Sequence, residues 1–203
     1  MANDLAFLSR RQVTAGLCAV AGVALLPVPS FALTDAQALT MVSKALKDVN
    51  AAVNSGKSQA ALYSDFERIF VRYGDLPVIA RSTLGPAARQ ASAGQMAAFT
   101  QAFQGYISRK YGRRFREFIG SVIEVTGARP VKSYVEVISV AKLRGSSPFE
   151  LRWHVSDKSG KPLFFNIIIE GVNMLASEST EIRAMLDRRR GDINALIEDL
   201  KTA

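Results

Sequence analysis

The chain has 203 residues, 48% of them hydrophobic, with a formal net charge of +8, one cysteine and one histidine. A single cysteine excludes a disulfide framework, and one histidine beside it is too few ligands for a zinc site. The length suits one domain with a sizeable core, and the basic balance suits nucleic acid, anionic lipid or an acidic partner.

Residues 1–32 are expected to be an export signal. Ser9-Arg10-Arg11-Gln12-Val13 precedes an uncharged, mostly apolar run that ends before Pro27 and Pro29. Ser30-Phe31-Ala32 then offers small residues where a signal peptidase reads, so cleavage is expected after Ala32. The run of about 14 residues is shorter than the ~20 needed to span a bilayer. The arginine pair resembles a twin-arginine (Tat) signal. Leu17 stands where a lipoprotein signal before Cys18 would need a small residue. Removing Asp4, Arg10 and Arg11 lowers the net charge from +8 to +7 and leaves a 33–203 domain without a thiol. A periplasmic location follows, and export argues against nucleic acid as a partner.

Thr34-Asp35-Ala36-Gln37 is a capping-box pattern. Leu39, Val42, Leu46, Val49 and Val53 form one helical stripe behind it, ended by Asn54-Ser55-Gly56. Leu62, Phe66, Ile69, Phe70 and Tyr73 mark a second helix, stopped at Gly74. Asp75-Leu76-Pro77 opens a third, closed by Gly85-Pro86. Ser92-Ala93-Gly94-Gln95 is another capping box. It starts the longest and most aromatic helix, through Met96, Phe99, Phe103, Tyr106, Ile107 and Tyr111, with Phe115, Phe118 and Ile119 beyond. That helix is expected to lie across the apolar face of a sheet.

From Ser121 the period becomes two. Residues 122–126 read as a short strand, Gly127-Ala128-Arg129-Pro130 as a turn, and 131–143 as a long strand. The next strand alternates cleanly: Phe149, Leu151, Trp153 and Val155 are apolar, while Glu150, Arg152, His154 and Ser156 are polar. Asp157-Lys158-Ser159-Gly160 suits a type I turn closed by a Gly bulge. That loop would face Asp157 with Lys161 and pair Trp153 with Phe165, Leu151 with Ile167 and Phe149 with Ile169. With Leu163, one hairpin face then carries eight large apolar side chains, about 12–24 kcal/mol of gross burial. Phe164, Asn166, Ile168 and Glu170 fall on the other face. The dry face needs a cover: the protein's own helices, or helices that leave a gap for an apolar ligand. After Gly171 the last strand is expected to continue to about Leu175. Ile182, Met185 and Leu186 mark a further helix, Gly191-Asp192 a break and cap, and Leu196, Ile197 and Leu200 a closing one.

The order is N-terminal helices, four antiparallel strands and two C-terminal helices: an α+β domain with a curved, NTF2-like sheet and an apolar cavity between helices and sheet. Catalytic chemistry is thin. His154 sits on the mixed hairpin face, where a hydrogen-bonded or solvated histidine is ordinary, and no serine has a nucleophile-elbow context. No phosphate-binding glycine loop is present. Asp65/Glu67 and Glu178/Glu181 read as solvated helix-face pairs. The protein is expected not to be an enzyme and to need no cofactor or metal. Arg109, Lys110, Arg113, Arg114 and Arg116 cluster after the aromatic helix, and Arg188-Arg189-Arg190 ends the penultimate one. Cations in a last helical turn complement the helix dipole. The first cluster, Arg109, Lys110, Arg113 and Arg114 above all, also suits an anionic headgroup or an acidic docking surface on a partner.

Several stretches together resemble the MlaC family of periplasmic phospholipid-binding proteins, also called toluene-tolerance or ABC transporter auxiliary proteins. They are Phe66-Glu67-Arg68-Ile69-Phe70; Leu84-Gly85 through Ala91-Ser92 to Gln95, then Phe99, Phe103 and Tyr111; Ile169-Glu170-Gly171-Val172-Asn173-Met174; and the tail from Gly191-Asp192 to Leu200. The resemblance implies a soluble carrier with transient membrane contact. It would move phospholipid between an inner-membrane ABC transporter with an MCE-type subunit and an outer-membrane lipoprotein complex, and so maintain outer-membrane lipid asymmetry. The residues assigned to the acyl chains are Leu151, Trp153, Val155, Phe165, Ile167 and Ile169 on the sheet, with Phe99, Phe103 and Tyr106 opposite. Competing readings are a periplasmic protein binding another apolar ligand such as a hopanoid or solvent, and a structural envelope protein with a filled core.

Overall fold

The computed structural model describes residues 33–113, 120–143 and 145–203. The expected export segment, and Arg114, Phe115, Arg116, Phe118 and Ile119, lie outside the described residues. Among the described residues, six helices and five strands follow in the order α1 (Asp35–Val53), α2 (Gln59–Tyr73), α3 (Leu76–Leu84), a 3-10 turn (Gly85–Arg89), α4 (Ala93–Gly112), β1 (Val122–Val131), β2 (Tyr134–Lys142), β3 (Phe149–Ser156), β4 (Leu163–Ile169), β5 (Val172–Asn173), α5 (Met174–Arg188) and α6 (Ile193–Thr202). No helix among the described residues is long and apolar enough to cross a membrane.

The helix starts are where the capping residues put them. Thr34 Oγ1 accepts the Gln37 N–H at 3.2 Å while Gln37 Oε1 accepts the Thr34 N–H at 2.9 Å. Ser92 and Gln95 repeat the exchange at 3.1 and 3.0 Å. Each pair satisfies donors that the first helical turn leaves without partners. Asp75 caps α3 and Asp192 caps α6 in the same sense.

The sheet is fully antiparallel with strand order β1-β2-β3-β4-β5. Two of its strands depart from the sequence reading. The expected turn at residues 127–130 is strand: β1 runs through it with a bulge between Val125 and Gly127, and the chain reverses at Lys132-Ser133 instead. β1 is an edge strand, where Pro130 lacks no obligatory ladder bond and Gly127 fits a bulge. The expected continuation to Leu175 is also absent. Glu170 and Gly171 both take left-handed backbone (φ 50° and 80°), a two-residue turn that folds β5 back on β4. Asn173 then caps α5 through its Oδ1, 3.0 Å from the Ala176 N–H.

The helices cover the sheet in a different order from the one expected. α1 lies against β1 and β2, α3 and α5 lie against β4, and α4 packs on α2, α3 and α6. Ala38 and Ala45, fully or almost fully buried beside Met41, Val42 and Leu46, let α1 approach the sheet closely. The broad aromatic stripe of α4 instead binds the helical layer together.

Gly74 joins the layers. The Asp75 N–H donates to the Phe164 carbonyl at 2.8 Å, tying the α2–α3 corner to the start of β4. A Cβ on Gly74 would stand 2.8 Å from the Phe70 carbonyl oxygen and 3.1 Å from the Phe164 ring. Gly74→Ala is therefore expected to lose about 1–3 kcal/mol through overpacking. Gly94→Ala, whose nearest neighbour would be Ser92 Oγ at 3.9 Å, should be stabilising by about 0.5–1 kcal/mol in urea unfolding.

Candidate functional site

The inner face of the sheet is built in rows set by the strand register. From one end these are Ile123–Ala141–Phe149, Val125–Ser139–Leu151–Ile169, Ala128–Val137–Trp153–Ile167 and Pro130–Val135–Val155–Phe164. The residues on the central strands are almost all buried, with Val137, Ser139, Ala141 and Val155 at 0% exposure. Several on the flanking strands and in the first row are not: Ile123, Val125, Phe149, Ile167 and Ile169 are only half-buried. The helices thus roof the middle of the apolar face and leave its margin partly covered.

Of the residues expected to line an apolar site, Leu151, Trp153, Val155, Ile167 and Ile169 share this face. Phe165 does not. Pro162 has no N–H for the ladder, so β4 begins one residue later, with Leu163 opposite Ser156. The Gly160 N–H still donates to the Asp157 carbonyl at 2.8 Å, as the turn residues imply. Trp153 consequently faces Ile167, Leu151 faces Ile169, and the extra residue is absorbed in a bulge between His154 and Val155. The bulge turns Phe164 inward, edge-on to Trp153 at 5.5 Å and 5.7 Å from Phe70. Phe165 goes to the outer face, with its ring 5.5 Å from Tyr134 and 5.8 Å from His154. Leu163 also falls outside the inner set.

Sequence reasoning missed one polar group on the inner face. Ser139 Oγ accepts the Trp153 indole N–H at 2.9 Å, both groups being buried. The bond satisfies the indole's only donor and fixes the ring across β2.

Phe99 and Phe103 (0%) and Tyr106 (4%) are buried in the same apolar cluster as the sheet residues. Their rings succeed one another along α4 at 5.9 and 6.3 Å. They belong to the helical layer rather than to a helix laid across the sheet.

The basic set divides. Arg109 donates from Nε to the Ala203 carbonyl at 2.9 Å and from Nη2 to the Leu200 carbonyl, closing the C-terminal end of α6. Lys110 Nζ contacts both carboxylate oxygens of Glu178 at 2.8 and 3.0 Å and Glu181 Oε2 at 2.5 Å. Arg113 is exposed at the end of α4. Arg189 pairs with Asp199 at 2.7 and 2.5 Å.

Around Lys110 is a polar network that bridges α4 and α5. Tyr106 donates to Glu181 Oε1 at 2.6 Å, and Tyr111 donates to Glu178 Oε1. Glu178 is only 5% exposed, contrary to its reading as a solvated helix-face residue. Burial, and then the neighbouring carboxylates, raise both tyrosine hydroxyls above the ordinary phenol range. Burial alone would lower Lys110, but its bonds to Glu178, Glu181 and Tyr106 outweigh this and its pKa is raised. The Lys110 ammonium, and then the Tyr106 hydroxyl, hold the Glu181 carboxyl below its usual value. The partners are about 70 residues apart in the chain, so no local motif announces them. Among the described residues no cluster of His, Cys, Asp or Glu is grouped to hold a metal ion.

A family model of the MlaC protein matches residues 40–202. No curated protein matches. Among solved structures, the fold is similar to that of a phospholipid-binding protein from Ralstonia solanacearum, determined in complex with a phospholipid. The TM-score is 0.70 at 19% identity, and the alignment covers 82% of this chain and 95% of that one. The family match starts within the first helix, ends in the last and takes in every row of the inner sheet face, so the chain belongs to the MlaC family.

Proposed function

We propose that the protein is a soluble periplasmic carrier that holds phospholipid acyl chains against the partly covered margin of the inner sheet face. One observation carries this reading: Ile123, Val125, Phe149, Ile167 and Ile169, apolar residues of the inner face, are left half-buried by the helices. A diacyl lipid exposes on the order of 30 methylenes at about 0.8 kcal/mol each, so a carrier must keep its tails dry throughout transit. Bilayer and border are similarly apolar, so loading and unloading stay close to thermal neutrality. Membership in the MlaC family and the phospholipid held by the structural neighbour support the choice of ligand.

Residues 1–32 direct export in this proposal, by a twin-arginine route, and no reaction is catalysed. The lipid passes between an inner-membrane ABC transporter with an MCE-type subunit and an outer-membrane lipoprotein complex, with Arg113, exposed at the end of α4, available to meet a headgroup or a partner. Arg109 and Lys110 hold α6 and α5 in place and are assigned no docking role.

The test is organic extraction of the purified protein followed by mass spectrometry. Phospholipid near one molecule per chain is expected. Ile167→Asp, placed at the half-buried margin, should fold and retain less than about a tenth of that lipid, since burying an unpaired carboxylate beside an acyl chain costs several kcal/mol. A folded Ile167→Asp protein with full lipid loading would overturn the assignment, and a hopanoid or solvent in the extract would change the ligand.

A further inference from the structure

The outer face of the sheet carries a polar ladder that the lipid reading does not use. The register places Glu136 of β2, His154 of β3 and Asn166 of β4 side by side. Glu136 and Asn166 are 5% and 6% exposed, and the His154 side chain is 12% exposed beneath the Tyr134 ring, 4.6 Å away, and Phe165.

The hydrogen bonds determine where the protons sit. The Leu175 N–H, in the first turn of α5, is only a donor, so the Asn166 oxygen it meets at 3.0 Å is an acceptor. The Asn166 amide nitrogen must then face His154 Nδ1, which it does at 3.4 Å. An amide N–H pointing at Nδ1 requires that nitrogen to be unprotonated, so His154 is neutral with its hydrogen on Nε2. Nε2 lies 3.3 Å from Glu136 Oε2 without hydrogen-bond geometry, and it is buried with no other partner among the described residues. The other Glu136 oxygen is held by Arg129, at 2.8 Å from Nε and 2.5 Å from Nη2.

We propose that this ladder is a proton-operated latch on the first turn of α5: protonating His154 at Nδ1 turns the Asn166 amide over and breaks its bond to the Leu175 N–H. A proton on Nδ1 faces the Asn166 N–H, donor against donor. Rotating the amide brings Oδ1 to the imidazolium and improves His154, now attracted to Glu136. The same rotation points the amide N–H at the Leu175 N–H. Imidazolium and tethered helix therefore exclude each other. The charged groups around the ring are Glu136, which favours the proton, and Arg152 on its own strand, which opposes it. Arg129 acts through Glu136, and Arg152 is itself paired with Glu150. Burial outweighs Glu136 and keeps the histidine below its ordinary value, in keeping with a neutral ring near pH 7.

His154 is the only histidine, so its ring C–H resonance is unambiguous in the chain prepared without a histidine tag. That resonance should titrate below the usual histidine range. Over the same pH interval the Leu175 amide protection factor should fall about tenfold, the scale of one lost buried hydrogen bond, while α1 amides stay protected. In Asn166→Asp one carboxylate can accept from Leu175 and from the imidazolium together. The His154 pKa should then rise by about one unit or more, and Leu175 protection should become independent of its titration. In His154→Phe, Leu175 protection should also be flat across the interval, which keeps the test decisive if the aspartate variant does not fold. Leu175 protection that stays constant while wild-type His154 titrates would overturn the latch, as would pH-dependent protection in His154→Phe.

Discussion

Trp153→Ala is expected to cost about 3–5 kcal/mol of folding stability, the range for truncating a large buried aromatic. Trp153 is 7% exposed, stands edge-on to Phe164 at 5.5 Å and sits in the row that joins β2, β3 and β4. The loss has two sources. Removing the ring leaves a cavity that the β2 and β3 backbones cannot close, because both strands are paired on each side. It also leaves Ser139 Oγ buried without its indole donor. Trp153→Phe separates the two, keeping most of the volume and deleting only the bond, and should cost about 1–2 kcal/mol. Urea unfolding of both variants checks the ordering; equal losses would mean that the Ser139 bond dominates.

Lys110→Met should destabilise by about 3 kcal/mol, the lower end of the range for a severed buried pair because Lys110 is itself 30% exposed. The loss arises at Glu178, left in a 5% exposed site with Tyr111 as its one remaining side-chain donor among the described residues. Adding Glu178→Gln should restore most of the stability, since Tyr111 can still donate to the amide oxygen and no charge remains stranded. The pH dependence has a definite sign. Glu181 has a lowered pKa in the folded protein, so its contribution is present above its unfolded value and is lost as pH falls through the folded one, in acid below about pH 4. Lys110, Tyr106 and Tyr111 are raised, so their contribution is complete below about pH 10 and is lost as pH climbs through the folded values. Phenolate absorbance should show Tyr106 and Tyr111 ionising above the ordinary phenol range in an alkaline titration.

Helix boundaries were legible because they depend on contacts three or four residues apart. Thr34 with Gln37, Ser92 with Gln95, Asp75 beside Pro77 and Asp192 after Gly191 all form where the local pattern places them. The face of β3 was equally legible, since alternation alone puts Leu151, Trp153 and Val155 on one side. Pairing was harder. Pro162 removes one donor from the ladder, which shifts the register and lets a bulge exchange Phe164 for Phe165, a swap that leaves no trace in the alternation. The Gly and Pro at 127–130 imitate a turn because bulges and edge strands use the same residues.

By itself, the amino-acid sequence determined an α+β chain with a dry sheet face, its helix caps and the residue order that resembles the MlaC family, since each of these rests on near neighbours along the chain. The tertiary structure alone decided which helices roof that face, that its margin stays half-covered, that Lys110 and Glu178 meet, and that His154 is linked through Asn166 to α5. Those outcomes come from groups far apart in the chain whose burial and charge compete for the same space, and a competition of that kind is settled only when the whole domain packs.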